Sequence, residues 1–255
     1  MLVLSAVILI SLITAPLSCI ILWHRLGNFA DALIHSSIFA AVLSHVFGLN
    51  LLSSLLASGM FIWLLSYFLS LRNESQGIAF KRENSANVLY LSAIFMSCIS
   101  VISKSDYSYL LFGTILLVDE LDLIWLLGCA IFVLGFLYYL RREIVLIGLN
   151  EDLARMESNV ELIRNIVLLM IILAVSIVIK TCGGSFFLVA GMLIPGLIAR
   201  NVSSTPKGMI TTAIISNLFI SCSAFILTEI YDLVFAPLVV IVGFVCYFIS
   251  LAFSK

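Results

Sequence analysis

Long runs of apolar residues, separated by short polar interruptions, organise the chain from end to end. Nine runs are long enough, or nearly so, to cross a bilayer core, which takes about 20 helical residues. They are Leu2 to Leu22, Phe29 to Phe47, Leu51 to Leu71, Val88 to Ser103, Leu123 to Leu140, Ile166 to Ile179, Ser185 to Ala199, Ile210 to Thr228 and Val234 to Phe253. The pattern predicts an all-α polytopic integral membrane protein with about eight or nine transmembrane helices, the shorter runs being tilted or broken.

Composition supports a membrane protein and narrows the partners. The 255 residues are 63% hydrophobic and 11% charged, with a mean hydropathy of +1.23, whereas soluble domains are about 25% charged. A formal net charge of -1 provides no basic field that would attract nucleic acid. The six cysteines are scattered singly, without the spacing of zinc ligands. We therefore expect no nucleic-acid partner and no permanently bound metal or other cofactor.

The interruptions between the runs predict the topology. Basic residues mark every second junction: His24 and Arg25; Arg72, Lys81 and Arg82; Arg141, Arg142, Arg155 and Arg164; Arg200 and Lys207; and Lys255. The alternate junctions hold few basic residues or are acidic, with Asp106, Asp119, Glu120, Asp122, Glu229 and Asp232. By the positive-inside rule the N-terminus lies outside and the C-terminus inside. Lys104 and Lys180 depart from this alternation.

No soluble domain interrupts the membrane region, so we expect one transmembrane domain over residues 1–255. The longest polar stretch, Arg142 to Asn165, is long enough only for a loop or a short helix. The phosphate-binding sequence GxxxxGK[ST] is absent from the chain. If the protein works with ATP, we expect a separate polypeptide to hydrolyse it, and the chain itself is not predicted to be an enzyme.

Asp31 and His35 stand together at the head of the second apolar run. Residues four apart share a helix face, and a carboxylate oxygen with an imidazole nitrogen suits a divalent cation such as zinc or manganese. The alternative is that the two side chains bond each other and cap the helix start. His45, ten residues further along, is a further candidate for lining the path of an ion, and His24 beside Arg25 is expected to be solvated.

Two further features have a functional and a plainer interpretation. Asp119, Glu120 and Asp122 form an acidic cluster that either attracts cations towards an outer mouth or is a solvated loop. Pro195 and Gly196 are expected to interrupt helical hydrogen bonding near the cytoplasmic end of a span, either as a flex point or as a simple kink.

Four stretches carry motifs that occur together in one family. The first, Ala15 to Asn50, has a Pro-Leu helix, a basic turn, an Ala-Asp pair and a His-Ser-Ser helix start; the others are Ile147 to Asn165, Val178 to Met209 and Tyr231 to Pro237. Together they resemble the membrane subunits of zinc, manganese and iron uptake ABC transporters, and the zinc-uptake permeases most closely. The chain departs from the family pattern at Leu91, where many members have a histidine, and at Thr114, where an acidic residue is common.

The resemblance implies a permease that imports a divalent metal, most closely zinc, with manganese and iron as alternatives. It also implies a homodimer in a bacterial inner membrane, with lipid around it and a translocation path at the two-fold axis. A separate ATP-binding subunit and an extracytoplasmic metal-binding protein are its implied partners. A cation-coupled secondary transporter is the alternative from another class, but the chain lacks the internal repeats usual in that class.

The polar segment around residues 148–164 is the expected contact with the ATP-binding subunit. It mixes acidic and basic residues around Leu153, Ala154 and Met156, as a short amphipathic helix does when it presents apolar side chains to a groove. The residues assigned to this contact are Glu151, Asp152, Leu153, Ala154, Met156 and Glu157. The alternative is a helix that lies on lipid headgroups.

Overall fold

The computed structural model describes residues 2–72, 118–157, 159–182 and 185–252, and these residues are helical apart from short turns. The helices are α1 (Leu2–Trp23), α2 (Gly27–Phe47), α3 (Leu51–Arg72), α4 (Glu120–Tyr139), α5 (Arg141–Leu149), α6 (Glu151–Glu157), α7 (Val160–Cys182), α8 (Ser185–Val202), α9 (Pro206–Tyr231) and α10 (Phe235–Leu251). The run Val88 to Ser103, with Lys81, Arg82, Leu91, Lys104, Asp106, Thr114 and Lys255, lies outside the described residues.

The prediction of an all-α membrane protein is confirmed within the described ranges. Six of the helices there, α1, α2, α3, α4, α7 and α9, are long and apolar enough to cross a membrane, and α10 is a shorter apolar helix of 17 residues. Several helices extend beyond the apolar runs in the sequence, as α7 does by starting at Val160 rather than Ile166. Backbone hydrogen bonding continues into the polar flanks because it does not depend on the side chains being apolar.

Helix α1 lies at the centre of the bundle. Every residue from Ile13 to Ile21 is buried, and the helix packs against α4, α5, α8 and α9. Small residues on α1, such as Ala15 and Ser18, allow neighbouring helices to approach closely, which favours packing between membrane helices. Helix α1 is therefore the helix on which α4, α5, α8 and α9 pack.

Helix α8 approaches α1 closely at Gly196. A Cβ atom at this position would lie 2.9 Å from the carbonyl oxygen of Ser18 and 2.7 Å from Leu22 Cδ1. Pro195 and Gly196 are both buried within the continuous helix Ser185–Val202, so the chain does not leave the helix at this point. Their role as a flex point or as a simple kink stays a prediction.

A buried amide joins α9 to α1. The Asn217 side-chain nitrogen donates to the Ser11 carbonyl oxygen at 3.1 Å and to Thr14 Oγ1 at 2.8 Å. Asn217 is only 1% exposed. Interhelical hydrogen bonds of this kind add to packing in membranes, where the hydrophobic effect between helices is weak. Asn217 therefore fixes the position of α9 along α1.

Lys180, the lysine on the outer side of the predicted topology, is paired. Its Nζ atom lies 2.9 Å from Asp122 Oδ1, which links the last turn of α7 to the first turn of α4. Both side chains are largely buried. The departure of Lys180 from the charge alternation therefore coincides with a structural role, which is to link α7 to α4.

The close approach at Gly196 predicts a specific sensitivity to small substitutions. We expect Gly196→Ala to destabilise the purified protein by about 1 to 3 kcal/mol, because the added methyl group meets backbone atoms that cannot move aside. The measurement is the thermal unfolding midpoint in detergent. Gly135→Ala is the matched control: it lies within α4 with no atom within 4 Å of the added Cβ, so its midpoint should stay the same or rise slightly. Equal midpoints for Gly196→Ala and wild type would contradict this account of the α1–α8 contact.

Candidate functional site

Asp31 and His35 lie on one face of α2, as their spacing predicts. Asp31 Oδ1 is 3.9 Å from His35 Nε2, and the side chains are 35% and 36% exposed, respectively. Zinc binds oxygen and nitrogen ligands at about 2.0 to 2.2 Å, so one ion placed between the two atoms can contact both of them. The distance is too long for a direct hydrogen bond. The separation is thus compatible with one ion contacting both atoms, and a metal contact at this pair stays a prediction.

The alternative role of Asp31 as a helix cap is wrong. Helix α2 begins at Gly27, its N-cap is Leu26, and no side chain there caps the helix. Asp31 thus lies one full turn inside the helix, where a carboxylate has no free backbone N–H groups to bind. Its position has to be explained by what its exposed side faces.

The set of possible metal ligands around Asp31 and His35 is small in the part of the chain that the structure describes. Within the described residues, no group of three or more His, Cys, Asp or Glu side chains is placed to hold a metal ion. His45 is exposed in the last turn of α2, and ten residues of helix place it about 15 Å along the axis from His35. His45 therefore does not share an ion with Asp31 and His35 of its own chain. Two ligands suit an ion that is transported, because binding must be weak enough for release.

The three carboxylates of the acidic cluster at the start of α4 have different surroundings. Asp122 is engaged with Lys180, whereas Asp119 and Glu120 are exposed. Only the last two carboxylates thus remain on the surface, next to the first turn of α4. Sequence reasoning missed the Lys180–Asp122 pair because its members lie 58 residues apart.

The polar segment after α4 folds into two short helices, α5 and α6, before α7 begins. Asn150 caps α6 by accepting the Leu153 N–H at 3.3 Å, and Asn159 does the same for α7 with the Leu162 N–H at 3.2 Å. Arg142 on α5 donates to Glu157 on α6 at 2.9 Å. The expected single amphipathic helix over 148–164 is therefore three pieces: the end of α5, all of α6 and the first turn of α7.

Apolar side chains project from this segment. Leu153 is 54% exposed, Met156 86% and Leu149 75%. Ala154, which was assigned to the same contact, is fully buried against the rest of the chain, and the side chains of Glu151 and Asp152 lie outside the described part. Leu149 was missed from sequence because it ends a run that looks like core. Exposed Leu and Met side chains suit a surface that binds another protein, and they equally suit a helix that lies on lipid headgroups.

His24 is buried, which corrects the expectation of a solvated residue. It is 2% exposed, and its Nε2–H donates to the carbonyl oxygen of Ile144 on α5 at 3.0 Å. The turn between α1 and α2 is thus in contact with α5. A lone histidine in a basic turn gives no sequence signal for this contact.

Several known proteins are similar to this chain in sequence or in fold. The curated high-affinity zinc uptake system membrane protein ZnuB of Buchnera aphidicola (subsp. Baizongia pistaciae) is 29% identical over 95% of this chain and 93% of its own length. The manganese transport system membrane protein MntC of Halalkalibacterium halodurans is 23% identical over 98% of this chain and 86% of its own length. A solved structure, PsaBC from Streptococcus pneumoniae in complex with Fab, has the same fold, with a TM-score of 0.78 at 18% identity over 97% of this chain and 89% of that one.

The family model for the ABC 3 transport family matches residues 1–254, which is nearly the whole chain. The helical architecture, the membrane-spanning lengths and the relatives agree with that match. The chain belongs to the ABC 3 transport family.

Proposed function

We propose that this chain is the permease subunit of a bacterial inner-membrane ABC transporter that imports zinc. The observation that carries the proposal is the Asp31–His35 pair, whose polar atoms lie 3.9 Å apart on a helix long and apolar enough to cross a membrane. Membership of the ABC 3 transport family supports transport as the activity. The relatives that are named for zinc uptake support zinc as the cargo.

The exposure of the pair supports a second copy of the chain. An ionisable side chain in a membrane span costs about 2.5 kcal/mol or more when it faces lipid, and Asp31 and His35 are each about one-third exposed. Contact with a partner or with a water-filled path removes this cost. A homodimer with α2 near its two-fold axis would bring two such pairs to one path and form a closed, symmetric assembly.

A separate ATP-binding subunit is the partner that we expect on the cytoplasmic side. The exposed side chains of Leu149, Leu153 and Met156 support this expectation. Three exposed apolar side chains on short helices fit a groove on another protein better than they fit water, and the chain has no phosphate-binding loop of its own. ATP binding would close the two ATP-binding subunits and shift the helices from inward-open to outward-open. Pro195 and Gly196 remain candidates for the position at which α8 yields during that change.

The outer surface would receive the ion from an extracytoplasmic metal-binding protein. Asp119 and Glu120 are exposed next to the first turn of α4, where their charges would raise the local concentration of cations. The ion would then pass to the Asp31–His35 pairs and leave on the cytoplasmic side. Zinc is the cargo in this scheme and is not a permanently bound cofactor.

Manganese is the second candidate cargo. A relative that covers 98% of this chain is named for manganese transport, and a carboxylate with an imidazole also suits manganese. The two cargoes share the same path and the same partners, so only transport measurements separate them.

Growth under metal limitation tests the cargo. We expect cells that lack this protein to grow poorly when zinc is chelated, and added zinc to restore growth at lower concentration than manganese or iron. The measurement is growth rate against added metal, in cells with and without a plasmid copy of the gene. Rescue by manganese alone would exclude zinc as the cargo while leaving the permease assignment intact.

Replacing both exposed side chains of α6 tests the docking surface. We expect Leu153→Asp with Met156→Asp to reduce co-purification of the ATP-binding subunit by at least about tenfold, since two desolvated apolar contacts of about 1 to 2 kcal/mol each are lost. Membrane insertion should stay normal because α6 lies outside the spanning helices. Leu233→Asp, an exposed leucine between α9 and α10, is the control and should retain the subunit. Wild-type recovery of the ATP-binding subunit with the double variant would rule out docking through α6.

A single substitution tests the metal contact. We expect Asp31→Asn to lower zinc uptake by at least about tenfold at matched expression, because even the loss of a group that supports a metal ligand costs 10 to 100-fold. Asp232→Asn is the matched control: this exposed residue has φ +52°, a conformation that asparagine tolerates, and its uptake should equal wild type. Normal uptake by Asp31→Asn would remove the metal contact from the proposal.

A further inference from the structure

The turn between α1 and α2 is short, and backbone hydrogen bonds tie it to the end of α1. The N–H of His24 donates to the Ile20 carbonyl oxygen at 2.9 Å, and the N–H of Leu26 donates to the Ile21 carbonyl oxygen at 2.8 Å. Between them Arg25 has φ +53°, a left-handed conformation that reverses the chain. Only three residues, His24 to Leu26, thus connect the end of α1 to the start of α2.

Helix α5 is seated on this turn at two points. The first is the hydrogen bond from His24 Nε2–H to the Ile144 carbonyl oxygen at 3.0 Å. The second is at Gly148, where a Cβ atom would lie only 2.9 Å from Trp23 Cβ. Ile144 and Gly148 are four residues apart, so both contacts lie on one face of α5.

The same helix is joined to the proposed docking surface. Arg142 at the start of α5 donates to Glu157 at the end of α6, and α5 and α6 follow each other with only Asn150 between them. On the other side of the turn, Asp31 is four residues into α2, which is about 6 Å along the helix axis. A continuous series of packed elements therefore connects α6 with Asp31.

We propose that His24 is a positioning residue that couples movement of α5 and α6 to the Asp31–His35 pair. This inference rests on the proposed function and adds the connection between its two parts. The hydrogen bond to Ile144 and the close packing of Trp23 on Gly148 make the α1–α2 turn follow α5. When the ATP-binding subunits move α6, the first turns of α2 move with it, and the metal pair opens or closes.

A purely structural role of His24 would give a different experimental result. If His24 only stabilises the fold, its loss lowers the amount of assembled protein, and ATP hydrolysis and metal uptake fall together. If His24 couples movement of α5 and α6 to the Asp31–His35 pair, loss of His24 lowers the number of ions imported for each ATP hydrolysed. The ratio of the two rates therefore separates the interpretations.

The experiment uses the full complex of permease and ATP-binding subunits, reconstituted in proteoliposomes with the extracytoplasmic binding protein and zinc. ATP hydrolysis and zinc uptake are measured in the same vesicles for wild type, His24→Ala, His24→Gln and Gly148→Ala. Glutamine carries an amide N–H donor near the position of the imidazole Nε2. Gly135→Ala is the matched control for Gly148→Ala, since no atom lies within 4 Å of its added Cβ.

We expect His24→Ala to hydrolyse ATP but to import at least about threefold less zinc per ATP, the size expected for one lost hydrogen bond. His24→Gln should recover most of the wild-type ratio. Gly148→Ala should lower the ratio because its methyl group pushes α5 away from Trp23, whereas Gly135→Ala should leave it unchanged.

Several outcomes would overturn the inference. A wild-type ratio in His24→Ala would do so, and so would a His24→Gln ratio as low as that of His24→Ala. If His24→Ala fails to assemble, an unchanged ratio in Gly148→Ala rejects the coupling on its own. A wild-type complex that imports neither zinc nor manganese would instead overturn the proposed function, and the coupling with it; if it imports only manganese, the same ratios are measured with that ion.

Discussion

The close packing of α1 against its neighbours is the constraint on which most of the bundle depends. Association of helices in a membrane relies on small residues and interhelical hydrogen bonds, and α1 packs in this way against α4, α5, α8 and α9. Small and polar residues set these contacts at particular heights: Gly196 allows α8 to approach the backbone at Ser18, and Asn217 fixes α9 against Ser11 and Thr14. Because the last turn of α1 also carries Trp23, which lies close to Gly148, the position of α5 depends on the same helix.

Charged side chains are placed in this bundle according to the cost of burying them. Lys180 and Asp122 neutralise each other at 2.9 Å, which makes their partial burial tolerable. Asp31 and His35 lie farther apart and are each about one-third exposed. The first pair thus links α4 and α7, and under the proposed function the second pair would contact the transported ion.

The segment that comprises α5 and α6 has a buried side and an exposed side. Ala154 and His24 are buried inside the chain, whereas Leu149, Leu153 and Met156 project from it. The buried residues lie in the contact between this segment and the bundle, and the exposed residues lie on the surface. Under the proposed function, the exposed side would bind the ATP-binding subunit.

The sequence by itself determined the class of fold, most of the membrane helices and the placement of Asp31 and His35 on one helix face. These features follow from local rules: the length of apolar runs, the sign of the flanking charges and the 3.6-residue period of the helix. Only the tertiary structure decided that α8 is continuous through Pro195, that Ala154 faces inward, that Lys180 pairs with Asp122 and that His24 binds Ile144. Each of these depends on which residues from distant parts of the chain meet, and hydrophobic runs of similar composition carry no information about which helix packs against which.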